Sequence, residues 1–192
     1  MAGPRARVAA LTISIAAGLG WIAAEGFSST PYVPVKGDRP TIGYGSTFHA
    51  DGTPVKMTDG PITKEQARAL ALGELEKTYA ECVRKSLPSA KMLQGEFDLA
   101  ADFTGQYGCT AWNNSPMRRD YAAANYAQAC EGYLDYRFMT SLKPIAGFEP
   151  YAHDKTGRAI KWRFNCATPG NKVCRGVWTR SVDRATKCAA LQ

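Results

Sequence analysis

Two carboxylates and a hydroxyl stand in order near the start of this chain. Glu25 closes an uncharged apolar run, Asp38 follows in Gly37-Asp38-Arg39-Pro40, and Thr41 opens Thr41-Ile42-Gly43-Tyr44-Gly45. Ile22-Ala23-Ala24 precede Glu25, and apolar surroundings keep a proton on a carboxyl, which suits a general acid. Asp38 sits in a Gly- and Pro-rich turn, where solvent keeps it ionised, and Thr41 offers a hydroxyl able to hold a water. A protonated acid, an ionised partner and a held water are what cleavage of an acetal linkage needs. Singly, each residue has a plainer explanation: the first solvated residue after an apolar run, a turn former, a strand residue. The ordered set carries the signal.

Several elements must position these groups. Residues 38 to 60 contain short strand-like runs broken at Gly45, Asp51-Gly52 and Asp59-Gly60, which predicts a small antiparallel sheet. A helix starts after Ile62: Thr63 and Gln66 have capping-box spacing, and Ala67, Ala71, Leu75 and Tyr79 form an i,i+4 stripe toward Val83. Pro88 ends it. Residues 91 to 107, Tyr121 to Phe138 and Thr179 to Ala190 read as three more helices. The expected fold class is α+β, a small antiparallel β lobe beside a larger helical lobe with a cleft between them.

The residues ahead of Glu25 form a separate problem. Arg5 and Arg7 precede Val8 to Ala24, a stretch without a charge. As one helix it would measure roughly 26 Å, near the lower limit for crossing a hydrocarbon core. Small residues (Ala, Gly, Ser, Thr) dominate it, so insertion would gain little free energy, and the basic flank would keep its N-terminal end in the cytoplasm. A cleaved signal peptide, with Ala17 or Ala24 at the cut, and a permanent anchor are the simpler readings. Cleavage after Ala24 would leave Glu25 at a frayed terminus, a poor place for an acid catalyst.

The chain carries 24 Lys and Arg against 17 Asp and Glu, a net charge of +7. The positive residues are dispersed, with no arginine-rich arm, so the charge points to attraction toward an acidic envelope polymer and not to nucleic acid. Six cysteines follow the N-terminal segment, none in a Cys-x-x-Cys pair, and there are only two histidines, His49 and His153. That composition opposes a zinc site and favours up to three disulfides in an oxidising compartment. Cys166 and Cys174 flank the turn signal Thr168-Pro169-Gly170-Asn171 and are the best local pair.

The Glu25-Gly26-Phe27 and Thr41-Ile42-Gly43-Tyr44-Gly45 segments, with Tyr32 seven residues after the glutamate, resemble the phage-type lysozymes of glycoside hydrolase family 24. The similarity extends to endolysins with a signal-anchor-release segment. The family carries a glutamate, then an aspartate or cysteine, then a threonine in a hairpin. This chain departs in the middle: the usual nine-residue step from the glutamate lands on Pro34, and the step to the threonine is one residue longer. Related sequences share a Pro-Val-x-Gly-Asp-x-Pro-Thr-Ile-Gly pattern, which makes Asp38 the substitute. Gly176-Val177-Trp178-Thr179-Arg180 is similar to a family stretch near the last helix, where Arg180 would help orient Glu25.

The resemblance implies a muramidase acting on bacterial peptidoglycan during host lysis, with Glu25 as acid, Asp38 as partner, Thr41 as water holder, and Tyr44 and Arg180 on the substrate. It implies an inverting displacement, no cofactor, no metal and no nucleic acid, and a monomer. Residues 1–24 would be the signal-anchor-release segment and 25–192 the lysozyme-like catalytic domain. Residues 8–24 would hold the chain transiently in the host inner membrane, N-terminus cytoplasmic, before release to the periplasm. A lytic transglycosylase using Glu25 alone, or a non-catalytic wall-binding protein, are the alternatives. Trp112, Trp162 and Trp178 are candidates for sugar stacking or for core packing.

Overall fold

Residues 5 to 14, ahead of the first helix, are fastened by hydrogen bonds to residues more than sixty positions further on. In this computed structural model, which describes residues 3–24, 26–34 and 37–192, strand β1 (Ala6–Arg7) pairs antiparallel with β4 (Lys91–Met92), Ala6 opposite Met92. Val8 follows in a short 3-10 turn, fully buried, its N–H donating to the Ala90 carbonyl at 3.0 Å. Arg5 reaches the buried carboxylate of Glu96 at 2.9 Å, and that carboxylate also accepts from the Leu93 N–H at 2.7 Å, capping helix α4 (Gln94–Asn113). The Ile13 N–H donates to Glu76 at 2.8 Å, and Arg84 donates to the Leu11 carbonyl at 2.9 Å.

Helix α1 (Ile15–Ala24) begins where Ser14 caps it. The Ser14 hydroxyl accepts from the Ala17 N–H at 3.1 Å and donates to Asp98 at 2.6 Å, tying this helix start to α4. Trp21 lies against Gly105 of α4, where any side chain would meet the indole, with its ring 5.8 Å from that of Tyr79. Among the described residues no helix is long and apolar enough to cross a membrane. The uncharged stretch 8 to 24 is α-helical only over its last ten residues; Ser14, held by Asp98, sets the start.

The contacts divide the chain into two compact units, Met1–Ala124 and Asn125–Gln192. In the first, β2 (Ser28–Tyr32) and β3 (Thr41–Gly43) form an antiparallel pair, and isolated bridges join Ile42 to Ser46 and Phe48 to Pro54. Helix α2 (Lys64–Glu74) starts at the expected capping box, Thr63 with Gln66. It continues through a π-helical turn, Leu75–Ala80, into α3 (Glu81–Ser86). The wider turn inserts a residue, so the buried stripe runs Ala67, Ala71, Leu75, Ala80, Val83, and Tyr79 is displaced to the rim. Gly108, at φ 82°, interrupts α4 near its end, and α5 (Pro116–Ala122) follows with Ser115 as N-cap. Cys82–Cys109 links α3 to α4. Trp112 is fully buried in this core and donates to the Ser86 hydroxyl at 2.8 Å, so it packs and does not face a substrate.

The helix expected over Tyr121 to Phe138 is divided. Ala124 takes a left-handed conformation at φ 59°, after which α6 (Tyr126–Gly132) and a 3-10 turn, Tyr133–Asp135, lead into a strand. The second unit then holds β5 (Phe138–Ser141), β6 (Glu149–His153) and β7 (Ala159–Asn165), in the sheet order β5-β7-β6, and ends on α7 (Arg175–Ala189). Cys130–Cys188 joins α6 to α7. Cys166–Cys174 closes the turn before α7, as its Pro-Gly-Asn signal predicts, and the Asn171 side chain bridges the turn by donating to the Cys166 carbonyl at 2.7 Å and accepting from the Cys174 N–H at 3.1 Å. The observed class is α+β, small antiparallel sheets with a larger helical part.

Candidate functional site

The hairpin that carries Thr41 rests directly on helix α2. Gly43 has φ 69°, and a Cβ placed there would lie 2.8 Å from the Ala67 Cβ, so glycine is required both by the turn and by the close approach. The Ile42 and Ser46 main chains exchange hydrogen bonds at 2.9 and 3.0 Å, folding the Gly43-Tyr44-Gly45 turn back on itself. On the other side of β2, the Ile62 N–H donates to the Ser29 carbonyl at 2.8 Å, so the start of α2 fixes that strand too.

Thr41, Ile42 and Gly43 are all buried. Thr41 pairs with Tyr32 across the hairpin, and its hydroxyl donates to the Tyr32 carbonyl at 3.3 Å. With its proton directed there, the oxygen keeps lone pairs able to accept from a water. Tyr44 is half-buried in the same turn, its ring 5.4 Å from Phe27, and the Lys64 ammonium lies 5.7 Å from the Phe27 centroid. Asp38 occupies the exposed connection between β2 and β3. Glu25 lies outside the described residues. Thr41 and Tyr44 are therefore brought together, with Asp38 in the loop that joins their hairpin strands. Arg180 belongs to the second unit, exposed on α7.

The loop after the hairpin is held by carboxylates. Asp59 accepts from the Lys56 N–H at 2.7 Å and lies 2.8 Å from the His49 Nε2, and those contacts, the Lys56 N–H first, hold it below the usual carboxylate range. Between this loop and α2 is a cavity of about 330 Å³ lined by Phe48, His49, Leu70, Glu74, Lys77 and Thr78. Burial pushes the Glu74 carboxyl above its ordinary value, against the opposing effect of the Tyr79 hydroxyl, which donates to it at 3.3 Å. Glu74 was not singled out by the sequence. Its only signal is a carboxylate next to the buried stripe position Leu75, with Leu70 one turn earlier.

In the second unit Trp162 lies in β7, and Trp178 on α7 lines a groove of about 550 Å³ with Ala127, Leu134, Val182 and Ala189. Neither tryptophan is fully buried.

The phage lysozyme family profile matches residues 22–149, a span that includes Glu25, Asp38, Thr41 and Tyr44. No curated protein sequence gives a match. Among solved structures, the fold is similar to an endolysin from Escherichia coli O157:H7 phage FAHEc1, at 23% identity and TM-score 0.66, covering 98% of this chain and 96% of that one. A P22 lysozyme variant is similar at 20% identity and TM-score 0.61, covering 92% and 97%. The muramidase domain of SpmX from Asticaccaulis excentricus is similar at 18% identity and TM-score 0.60, covering 94% and 97%. Given the matched profile and this fold, the chain belongs to the phage lysozyme family of peptidoglycan-degrading glycoside hydrolases.

Proposed function

We propose that the protein is a phage endolysin of muramidase type, hydrolysing the N-acetylmuramic acid to N-acetylglucosamine bonds of peptidoglycan. The observation that carries this reading is the Thr41–Tyr32 pairing, which orients the hydroxyl within a hairpin that the family profile covers. Glu25 is the general acid that protonates the leaving oxygen. A water that donates to Thr41 turns a lone pair toward the anomeric carbon, and Asp38 draws off its proton or offsets the developing oxocarbenium charge. Attack from the face opposite the leaving group inverts the anomeric centre. Tyr44 and Arg180 contact the glycan.

The same protein is held inactive in the host inner membrane through residues 8–24 and acts in the periplasm after release. What supports this is competition for the same atoms. Val8, Leu11 and Ile22 are buried in the folded chain, and the main chain at residues 8, 11 and 13 bonds to residues 76 to 90. A segment drawn into a bilayer gives up those contacts, so insertion and complete folding exclude one another. Three disulfides suit the oxidising periplasm.

The test compares purified full-length protein with Glu25→Gln on outer-membrane-permeabilised Gram-negative cells, with mass spectrometry of the products. Clearing by the wild type alone, with products that have gained water, is the expected result. Equal clearing by both removes Glu25 from the mechanism, and anhydro-sugar ends replace hydrolysis with transglycosylation.

A further inference from the structure

The sheet of the second unit has two unlike faces. Along β7, residues 160, 162 and 164 project to one side and 161 and 163 to the other. On the polar side Arg163 lies 4.5 Å from the Phe138 ring centroid and 5.5 Å from that of Tyr151, and its Nε donates to Glu149 at 2.9 Å. Those two rings are already engaged by the guanidinium.

The other side is apolar and is crossed by the chain. Strands β5 and β6 flank β7 and both run antiparallel to it, so the connection 142–148 must pass over β7. It passes on the Phe164 side: the Phe148 ring is 5.7 Å from that of Phe164, and Gly147 sits against the same ring. Within it Leu142 is 76% exposed and Ile145 48%, and the flanking strands expose Met139 at 44% and Ile160 at 42%. Lys143 lies between the two most exposed aliphatics.

Residues 137–165 carry six Lys and Arg (137, 143, 155, 158, 161, 163) and two acids, Glu149 and Asp154. Both acids are used locally, Glu149 by Arg163 and Asp154 by the Thr156 and Arg158 N–H groups of its own turn. Lys161 and Arg163 project to the other face, so the exposed aliphatics of the crossover have Lys143 as their adjacent cation, in a segment of net positive charge. Sugar rings stack on open aromatic faces, and the exposed atoms here are mainly Leu, Ile and Met. Aliphatic tips beside cations match the boundary between acyl chains and anionic headgroups.

We propose that the crossover 142–148 is a membrane-contact element: Leu142 and Ile145 enter the headgroup–acyl boundary of a phospholipid bilayer, and Lys143 between them meets its anionic phosphates. This is a second lipid contact, separate from residues 8–24 and independent of the catalytic reading.

The test is co-sedimentation of the full-length protein with phosphatidylcholine vesicles, with and without phosphatidylglycerol, beside Leu142→Ser/Ile145→Ser and Lys143→Glu. Isolated sacculi serve as the second binding partner and as the hydrolysis substrate. The substituted residues are exposed, and an unchanged melting temperature checks the fold. The expected result is wild-type binding that rises with phosphatidylglycerol and falls with salt. The double variant should lose about tenfold or more in vesicle partition, and Lys143→Glu should lose most of the phosphatidylglycerol dependence, with sacculus hydrolysis unchanged in both. Equal vesicle partition of wild type and double variant overturns the proposal, because residues 8–24 would then carry all the binding. Loss of sacculus binding in the variants, with vesicle binding unaltered, overturns it in favour of a wall-polymer surface.

Discussion

Thr41 and Tyr32 face each other across the β2–β3 pair, and the Thr41 hydroxyl gives its proton to the Tyr32 carbonyl at 3.3 Å. The residue is 6% exposed, so the orientation of its side chain is set by the hairpin and not by solvent. Replacing it separates the hydroxyl from the shape. Thr41→Val keeps the branched side chain and is expected to lower turnover about a hundredfold, with a stability loss of about 1 kcal/mol from the missing hydrogen bond. Thr41→Ser keeps the hydroxyl and should retain most of the activity. Steady-state hydrolysis of sacculi with parallel thermal melts checks both.

Gly43 supports that hairpin by letting it approach α2. Gly43→Ala places a methyl against Ala67 in a left-handed conformation, and the expected cost is about 1–3 kcal/mol. The companion change Ala67→Gly removes the opposing methyl and should recover the steric part while leaving the backbone part. Denaturant melts of the two single variants and the double variant measure the coupling directly.

Glu74 makes stability depend on pH in a defined direction. Its carboxyl is pushed up by burial, so the folded chain holds that proton at pH values where the unfolded chain has lost it. Stability from this group therefore falls as pH rises from the ordinary value of 4.5 through the raised folded value. Glu74→Gln is expected to melt higher than wild type at neutral pH, with the difference shrinking toward pH values below 4.5. Melting curves across that range check the sign.

The three disulfides should differ in worth with the length of chain they close. Cys130–Cys188 spans 58 residues, Cys82–Cys109 spans 27 and Cys166–Cys174 spans 8. Loop entropy ranks their paired Cys→Ser removals at about 4, 3.5 and 2.5 kcal/mol. Unfolding of the three double variants in urea tests that order.

What the sequence revealed depended on whether a local signal existed. The Thr63–Gln66 cap and the Cys166–Cys174 turn were legible because each is complete within ten residues. The π-helical turn at Leu75–Ala80 was not, since nothing in its composition distinguishes it from α-helix, and the stripe expected through Tyr79 moved to Ala80. Ala124 reads as a helix former, yet its left-handed backbone divides the helix expected over Tyr121 to Phe138. Strand β2 was hidden by Pro31, which an edge strand tolerates. At the site, the Thr41 turn was readable from its glycines, whereas its pairing with Tyr32 depended on the strand that Pro31 hid, and the burial of Glu74 arises only from packing.

The fastening of residues 5 to 14 also sets a clock. Arg5 closes on Glu96 across 91 positions, and Ser14 on Asp98 across 84. Ribosomes add about 5–20 residues per second, so each of these early residues waits on the order of ten seconds before its partner has been made. For the later part of that interval the beginning of the chain has left the ribosome while its native hydrogen-bond partners are still unsynthesised. Whatever engages it first in that interval does so without competition from the fold.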